Sequence, residues 1–546
     1  MALKLRTLLR TAKNSAEGEF MKCVMIDCSR NAVMNVKSVK KFAETVKSLG
    51  FDSLMLYTED TFEVDNEPYF GYMRGRYSKD EIKELDAFCN NIGIELIPCV
   101  QTLAHLNAIF KWWDEYMPIN DCDDILLCGE ERTYTLLENI FKTLSECYST
   151  RKVHIGMDEA YRVGLGKYLD KHGYEKRFDI INRHLHRVCE IADKYGFKPM
   201  LWSDMFVKLA LNSTEYYAEA NLDEIRKAAD LPESVSLVYW DYYSKDYDRY
   251  KKMINVNKAF DRPVLFAGGA WTWRGFAPDN KFSFETTEPA LRACRDCGIE
   301  DIIITAWGDD GGECSPFAVL PALSYASSLL NGNGTLEEAK GKFEELTGMS
   351  FGDMMLLDEL DKPSDMLEGA PSKYLIYNDP FSGMVDYMIE SGVNEYYEKL
   401  KLKLEAVKPA EAFKEMFDFY ISLCGALSVK SELGIKTRAA YDKKDKQALL
   451  KLAESDYTLA IERINECHKA YRRLWLKFNK PFGFDIQDIR FGGVIKRLET
   501  CKTALIEFCE GKTDTLPELD ERLLSGIHRG TTWARTVTAN VISHIC

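Results

Sequence analysis

Two carboxylates stand side by side in His154-Ile155-Gly156-Met157-Asp158-Glu159, where a short apolar run ends. Inside a strand, neighbouring side chains point to opposite faces. At a strand's end that alternation breaks, and both can face one cavity. Like charges held close among aromatic walls push one carboxyl's pKa up while the other stays ionised. Such a pair suits cleavage of a glycosidic bond, with an acid for the leaving oxygen and an anion to support positive charge near the anomeric carbon. The plainer reading of an Asp-Glu pair is a cap on the following helix.

Other chemistry-bearing residues recur at the ends of similar runs. They are Arg30; Glu59 and Asp60; Gln101 and His105; Trp202 and Asp204; Trp240, Asp241, Tyr242 and Tyr243; Trp271 and Trp273; Trp307, Asp309 and Asp310. A single tryptophan mostly belongs in a core. Several at one mouth, beside carboxylates and an arginine, make a pocket for a pyranose, with flat faces for stacking and partners for hydroxyls. Glu59 and Asp60 have a scaffold alternative, pairing with Arg74 or Arg76. His154 suits orienting the carboxylate loop better than proton transfer.

These residues need elements to hold them. Eight apolar runs, at 23–29, 51–57, 94–100, 152–157, 198–202, 235–240, 263–267 and 301–306, are each short and apolar almost throughout. That is the pattern of parallel strands buried on both faces. Helix-like segments separate them, at 38–49, 79–92, 133–147, 178–195 and 285–297, and Gly50, Gly93, Gly196 and Gly298 mark their ends. The spacing predicts an α/β fold, a (β/α)8 barrel over 21–335 after a short N-terminal extension, 1–20. Active sites of such barrels lie at the C-terminal strand ends. A doubly wound sheet is the weaker alternative, because Asp27-Cys28-Ser29-Arg30 stands where a glycine-rich turn would be. From 336 to 546 the beat gives way to apolar stripes at helical spacing, a mainly α-helical C-terminal domain. The stretch 357–380 reads as irregular chain. The later helices could also build a homodimer.

The 546 residues are 46% apolar and 29% charged, ordinary for globular proteins. A net charge of −15 disfavours nucleic acid and anionic membranes and fits a neutral substrate. The 16 cysteines are scattered, and apart from Cys294 and Cys297 none falls at metal-site spacing. No metal or organic cofactor is expected. Neither a secretory signal nor a membrane span is evident, so the expected address is a reducing cytoplasm.

His154-x-Gly156-x-Asp158-Glu159 on a fourth barrel strand resembles the signature of glycoside hydrolase family 20, the β-N-acetylhexosaminidases. The resemblance covers about residues 20 to 330. It implies that Arg30 holds the O3 and O4 hydroxyls of the terminal sugar. His105, in Leu103-Ala104-His105, stands where the family usually has Pro-Gly-His, and Trp307-Gly308-Asp309 where many members have Trp-Ser-Glu. Asp309 would then read O4 and O6, with Asp310 or Glu313 as substitutes. The departures resemble a compact cytoplasmic branch with a helical C-terminal domain. The implied mechanism is retaining and substrate-assisted: Glu159 is acid and then base, and Asp158 holds the 2-acetamido N–H of an oxazolinium. Tyr242 or Tyr243 binds the acetamido oxygen, and Trp202, Trp240, Trp271, Trp273 and Trp307 wall the sugar. The implied substrate is an oligosaccharide or glycoconjugate ending in β-linked GlcNAc, or GalNAc. Alternatives are a conventional glycosidase on sugars lacking the acetamido group and a non-catalytic sugar-binding barrel. A metal-dependent hydrolase is more distant still.

Overall fold

The structure, a computed structural model, describes residues 20–211, 222–228, 230–309, 311–364 and 369–524. Asp310 and residues 1–19 of the N-terminal extension lie outside these. Eight parallel strands close into a barrel: β1 (Lys22–Asp27), β2 (Ser53–Tyr57), β3 (Glu95–Cys99), β4 (Lys152–His154), β5 (Lys198–Trp202), β6 (Ser236–Trp240), β7 (Val264–Gly269) and β8 (Ile302–Ala306). Each pairs with its sequence neighbour, and β8 closes on β1 in the register Lys22↔Ile302 to Ile26↔Ala306. Helices follow the strands, and the four glycines expected at helix ends all have left-handed backbone. The segment after β2 ends in a capping box, Ser78 with Glu81, that starts the helix Lys79–Asn91.

The strand alternation divides the apolar residues between two cores. Val24, Ile26, Leu54, Leu56 and Leu96 face the surrounding helices. Cys23, Met25, Met55, Ile97, Cys99, Met200, Val238, Leu265 and Ile303 fill the barrel's interior. The same interior cluster includes Tyr57, Trp202, Tyr242, Trp271, Trp273 and Trp307. Sulfur and aliphatic side chains thus pack the barrel, and aromatic rings roof it at the C-terminal strand ends.

Strand β4 stops at His154, three residues before the expected end. Gly156 and Met157 turn to φ of +69° and +72°, which no strand accommodates. The stretch read as irregular at 357–380 contains helical turns, Leu356–Asp361 and Pro371–Tyr377, because its apolar residues pack inward. The apolar stripes of the C-terminal half lie on the helices Lys414–Lys430 and Thr458–Phe478, where Phe419 stacks on Tyr471 at 4.4 Å. Both rings also meet Phe276, from the segment after β7, at 5.8 and 5.9 Å. The C-terminal helices therefore bear directly on a loop of the barrel mouth. Among the described residues, no helix is long and apolar enough to cross a membrane.

Candidate active site

Strand periodicity carries Tyr57, Gln101, His154 and Trp202 to the mouth, and the turn after β4 delivers the carboxylates. Gly156, Met157 and Glu159 all have left-handed backbone, so Asp158 and Glu159 escape the alternation that would set them on opposite faces. Gln101 locks this turn. Its Oε1 accepts the Met157 N–H at 3.2 Å, and its Nε2 donates to Asp158 Oδ1 at 2.8 Å and to the Tyr57 hydroxyl at 2.9 Å. The Tyr57 hydroxyl in turn donates to Glu59 Oε1 at 2.9 Å.

The two carboxyls differ in surroundings. Asp158 is nearly buried, and His105 Nε2 stands 3.3 Å from its Oδ2, an ion-pair contact rather than an aligned hydrogen bond. Burial opposes the Asp158 charge, but His105 and the Gln101 amide overcome it and hold this carboxyl below its ordinary pKa. The side chain of Glu159 is 43% exposed, with Oε2 3.8 Å from His105 Nε2. Burial and the neighbouring Asp158 charge push its pKa up. One carboxyl is thereby kept ionised and its neighbour biased toward the acid. Burial works against a charge on His105 too, yet Asp158 lifts the imidazole to about 10.

Arg30, after β1, places its guanidinium 3.3 Å from Glu59 Oε1 and 3.8 Å from Asp27 Oδ2. Glu59 is thus a partner of Arg30, whereas Asp60 pairs with Arg74 at 3.1 Å and Arg76 donates to backbone carbonyls. Burial opposes the Arg30 charge, but Glu59 and further anionic neighbours, Asp309 among them, keep it firmly protonated. Asp309 is exposed on the mouth. Glu313, its alternative, is withdrawn from the mouth. It is buried between Lys373 at 2.6 Å, Arg490 at 2.7 Å and Gln487 at 2.9 Å, all from beyond the barrel.

The aromatic residues form a continuous wall. Trp240 stacks on Tyr242 at 5.1 Å, and Tyr242 meets Trp273 edge-on at 5.5 Å. Trp273 stacks on Trp271 at 4.2 Å, and Trp202 lies 5.8 Å from Trp307. Tyr242 is buried and Tyr243 half-exposed. Burial pushes both hydroxyls up, Tyr243 to about 12, so each stays a neutral donor. His154 packs against Trp202 with ring centres 4.1 Å apart, tilted by 45°, and accepts the Gly156 N–H at Nδ1, which puts its proton on Nε2. Burial drives its pKa to about 3, so it is an uncharged brace for the turn. Among the described residues, His154 Nε2 and Trp202 Nε1 are buried without an aligned acceptor. Buried donors left so cost about 1–3 kcal/mol each, and they favour a ligand rich in oxygen acceptors.

Arg30, His105, Trp202, Trp240, Tyr242, Tyr243, Trp271, Trp273, Trp307 and Asp309 therefore sit at one barrel end with Asp158 and Glu159, whereas Glu313 is withdrawn and Asp310 lies outside the described residues. Asp204, Gln101 and Tyr57 deserve equal standing. Asp204 Oδ2 accepts the Glu159 N–H at 3.3 Å and its Oδ1 the Trp240 Nε1–H at 3.4 Å. Burial and the Asp158 charge raise Asp204 to about 7. Their shared signal was position alone, at or just past a strand end.

Comparison with known proteins decides the family. Residues 22–246 match the model of the glycosyl hydrolase family 20 catalytic domain, and residues 351–534 that of the glycoside hydrolase 20C C-terminal domain. The chain belongs to glycoside hydrolase family 20. Human hexosaminidase D is 24% identical over 378 residues, covering 64% of this chain and 72% of that protein. Bovine hexosaminidase D is 24% identical over 245 residues, 42% of this chain and 64% of its own length. Among solved structures, the β-N-acetylhexosaminidase of Bacteroides fragilis NCTC 9343 is 18% identical, with a TM-score of 0.44 over 59% of this chain and 65% of its own. An exo-β-N-acetylglucosaminidase of Vibrio harveyi, solved with N-acetylglucosamine, is 12% identical, with a TM-score of 0.44 over 62% and 58%. As a family 20 chain, this protein is a glycoside hydrolase, and its carboxylate pair lies inside the matched catalytic segment.

Proposed function

We propose that the protein is an exo-acting β-N-acetylhexosaminidase that removes terminal β-linked GlcNAc or GalNAc by a retaining, substrate-assisted route. One observation carries the reading: Asp158, held ionised by His105 and Gln101, adjoins Glu159, whose pKa is pushed up. Glu159 protonates the leaving oxygen while the 2-acetamido oxygen attacks the anomeric carbon. Asp158 accepts the acetamido N–H and stabilises the oxazolinium. Glu159 then takes a proton from the water that opens it. Tyr242, seated within the indole wall, supports the acetamido oxygen, with Tyr243 as the alternative. Trp202, Trp240, Trp271, Trp273 and Trp307 shape the acetamido and sugar pocket. Arg30 and Asp309 bind the outer hydroxyls, and His105 keeps Asp158 charged.

The same reading divides the chain into an extension, 1–20, a catalytic barrel, 21–335, and a helical domain, 336–546. It places the chain in a reducing cytoplasm, which the free thiols of the described residues suit, and allows a homodimer through the later helices. The deciding experiment pairs chromogenic β-GlcNAc and β-glucose substrates, with and without a thiazoline mimic of the oxazolinium. Turnover of the acetamido sugar alone, blocked by the mimic, is expected. Equal rates without inhibition would refute the acetamido-assisted route and make Asp158 the candidate for a direct nucleophile.

A further inference from the structure

Glu159 is gripped from a side that the acid–base scheme does not use. Tyr161 turns its hydroxyl back to Glu159 Oε1 at 3.4 Å. Lys208 donates from Nζ to that hydroxyl at 2.8 Å, and its ammonium stands 4.7 Å from the ring's centre. Lys208 is buried on the helix Asp204–Ala210, one turn beyond Asp204, whose carboxylate lies 4.0 Å away and receives the Glu159 main-chain N–H. One short helix thus fixes both the backbone and one carboxyl oxygen of Glu159.

The proton count follows. An ammonium only donates, so the Tyr161 oxygen accepts from Lys208. A phenol has one proton, and among the described residues the acceptor it reaches is Glu159 Oε1. The carbonyl oxygen of a carboxylic acid accepts a hydrogen bond better than its hydroxyl oxygen does, so this donor favours the form with Oε1 unprotonated. We propose that Lys208 and Tyr161 form a positioning relay that confines the acid proton of Glu159 to Oε2, making Oε2 the oxygen that protonates the leaving group and later receives the water's proton. The inference rests on Glu159 being the acid–base group. Oε2 is the oxygen on the His105 side, 3.8 Å from Nε2. Once the proton has left, the Tyr161 bond becomes charge-assisted and strengthens, so the relay favours the step as well as its direction. The ionisable groups around Glu159 are Asp158 on its own loop, His105 after β3, Arg30 after β1, Asp204 and Lys208 after β5, and the hydroxyls of Tyr161 and Tyr243. Asp158 retains the Glu159 proton, whereas His105, Lys208 and Arg30 favour its release.

The test uses Tyr161→Phe, Lys208→Met and Glu159→Gln in the full chain, with kcat/KM followed against pH. Tyr161 is 43% exposed, so the phenylalanine variant keeps the fold even if the buried Lys208→Met does not. The substrates are an N-acetylglucosamine disaccharide, whose leaving group needs a proton, and the 2,4-dinitrophenyl glycoside, whose leaving group does not. Tyr161→Phe should lower kcat/KM on the disaccharide about tenfold and leave the dinitrophenyl substrate within about twofold. Its alkaline limb should move to higher pH, because the ionised carboxyl has lost a donor. Lys208→Met should move the limb the same way, and Lys208→Arg should restore it. Equal losses on both substrates with an unmoved limb would overturn the relay. If Glu159→Gln collapses the disaccharide rate while the other variants change neither quantity, only the relay is wrong. If Glu159→Gln spares the disaccharide, the acid–base assignment itself fails.

Discussion

Replacing Gly156 by alanine tests the geometry on which both carboxylates depend. A methyl group on this residue would stand 2.0 Å from Gln101 Oε1 and 2.9 Å from the Val100 carbonyl oxygen. Its φ of +69° costs alanine about 1 kcal/mol before any contact is made. Gln101 is fully buried, so its amide yields only by abandoning its bonds to Asp158 Oδ1 and the Met157 N–H. A hydrogen bond to a charged group contributes about 1.5–3 kcal/mol, which brings the loss to about 2.5–4 kcal/mol. At about 1.4 kcal/mol per decade, kcat/KM on a chromogenic N-acetylglucosaminide should fall by roughly two to three decades. Most of the fall belongs in kcat, since Asp158 is best engaged in the transition state. Gln101→Ala removes both the obstacle and the bond, so Gly156→Ala/Gln101→Ala should be little worse than Gln101→Ala alone. Near-normal activity in Gly156→Ala, or additive losses in the double variant, would refute the account of the turn.

Two further outcomes follow from the charges. Lys373→Met should lower stability by about 3 kcal/mol, because it strips one cation from the buried Glu313, and adding Glu313→Gln should recover much of the loss. Burial opposes the Glu313 charge, but Lys373 and Arg490 hold the carboxyl below its ordinary pKa. Its stabilisation is therefore complete above the unfolded value of about 4.3 and is lost as pH falls through the folded one, so denaturant melts of the wild type and Lys373→Met should converge in acid. NMR titration of His105 should give a pKa of about 10, with its stabilisation present below the unfolded value near 6.5 and lost as pH rises through the folded one. In Asp158→Asn the value should fall; an ordinary His105 titration in the wild type would sink the proposed role of Asp158.

Much of this protein is legible without coordinates, because the cause is local. Runs such as Ser53–Tyr57 and Ile302–Ala306 are apolar on both faces, and buried parallel strands require that. The motif at 154–159 names its carboxylates, and indoles recurring at strand ends name the wall. The helical turns within 357–380 are not evident in the sequence because they are held by packing on the C-terminal helices Val393–Ala406 and Lys414–Lys430 rather than by their own periodicity. Chain order likewise hides Gln101, which grips the turn 56 residues away, and Lys208, which reaches Tyr161 47 residues back. Composition and pattern by themselves determined the barrel, the helical second half and the Asp158–Glu159 pair, since periodicity and residue type are properties of short segments. Which carboxyl is held ionised, that Glu59 pairs with Arg30, and that Glu313 is buried between Lys373 and Arg490 were decided only by the tertiary structure, because burial and charge proximity arise between strands and helices distant in the chain.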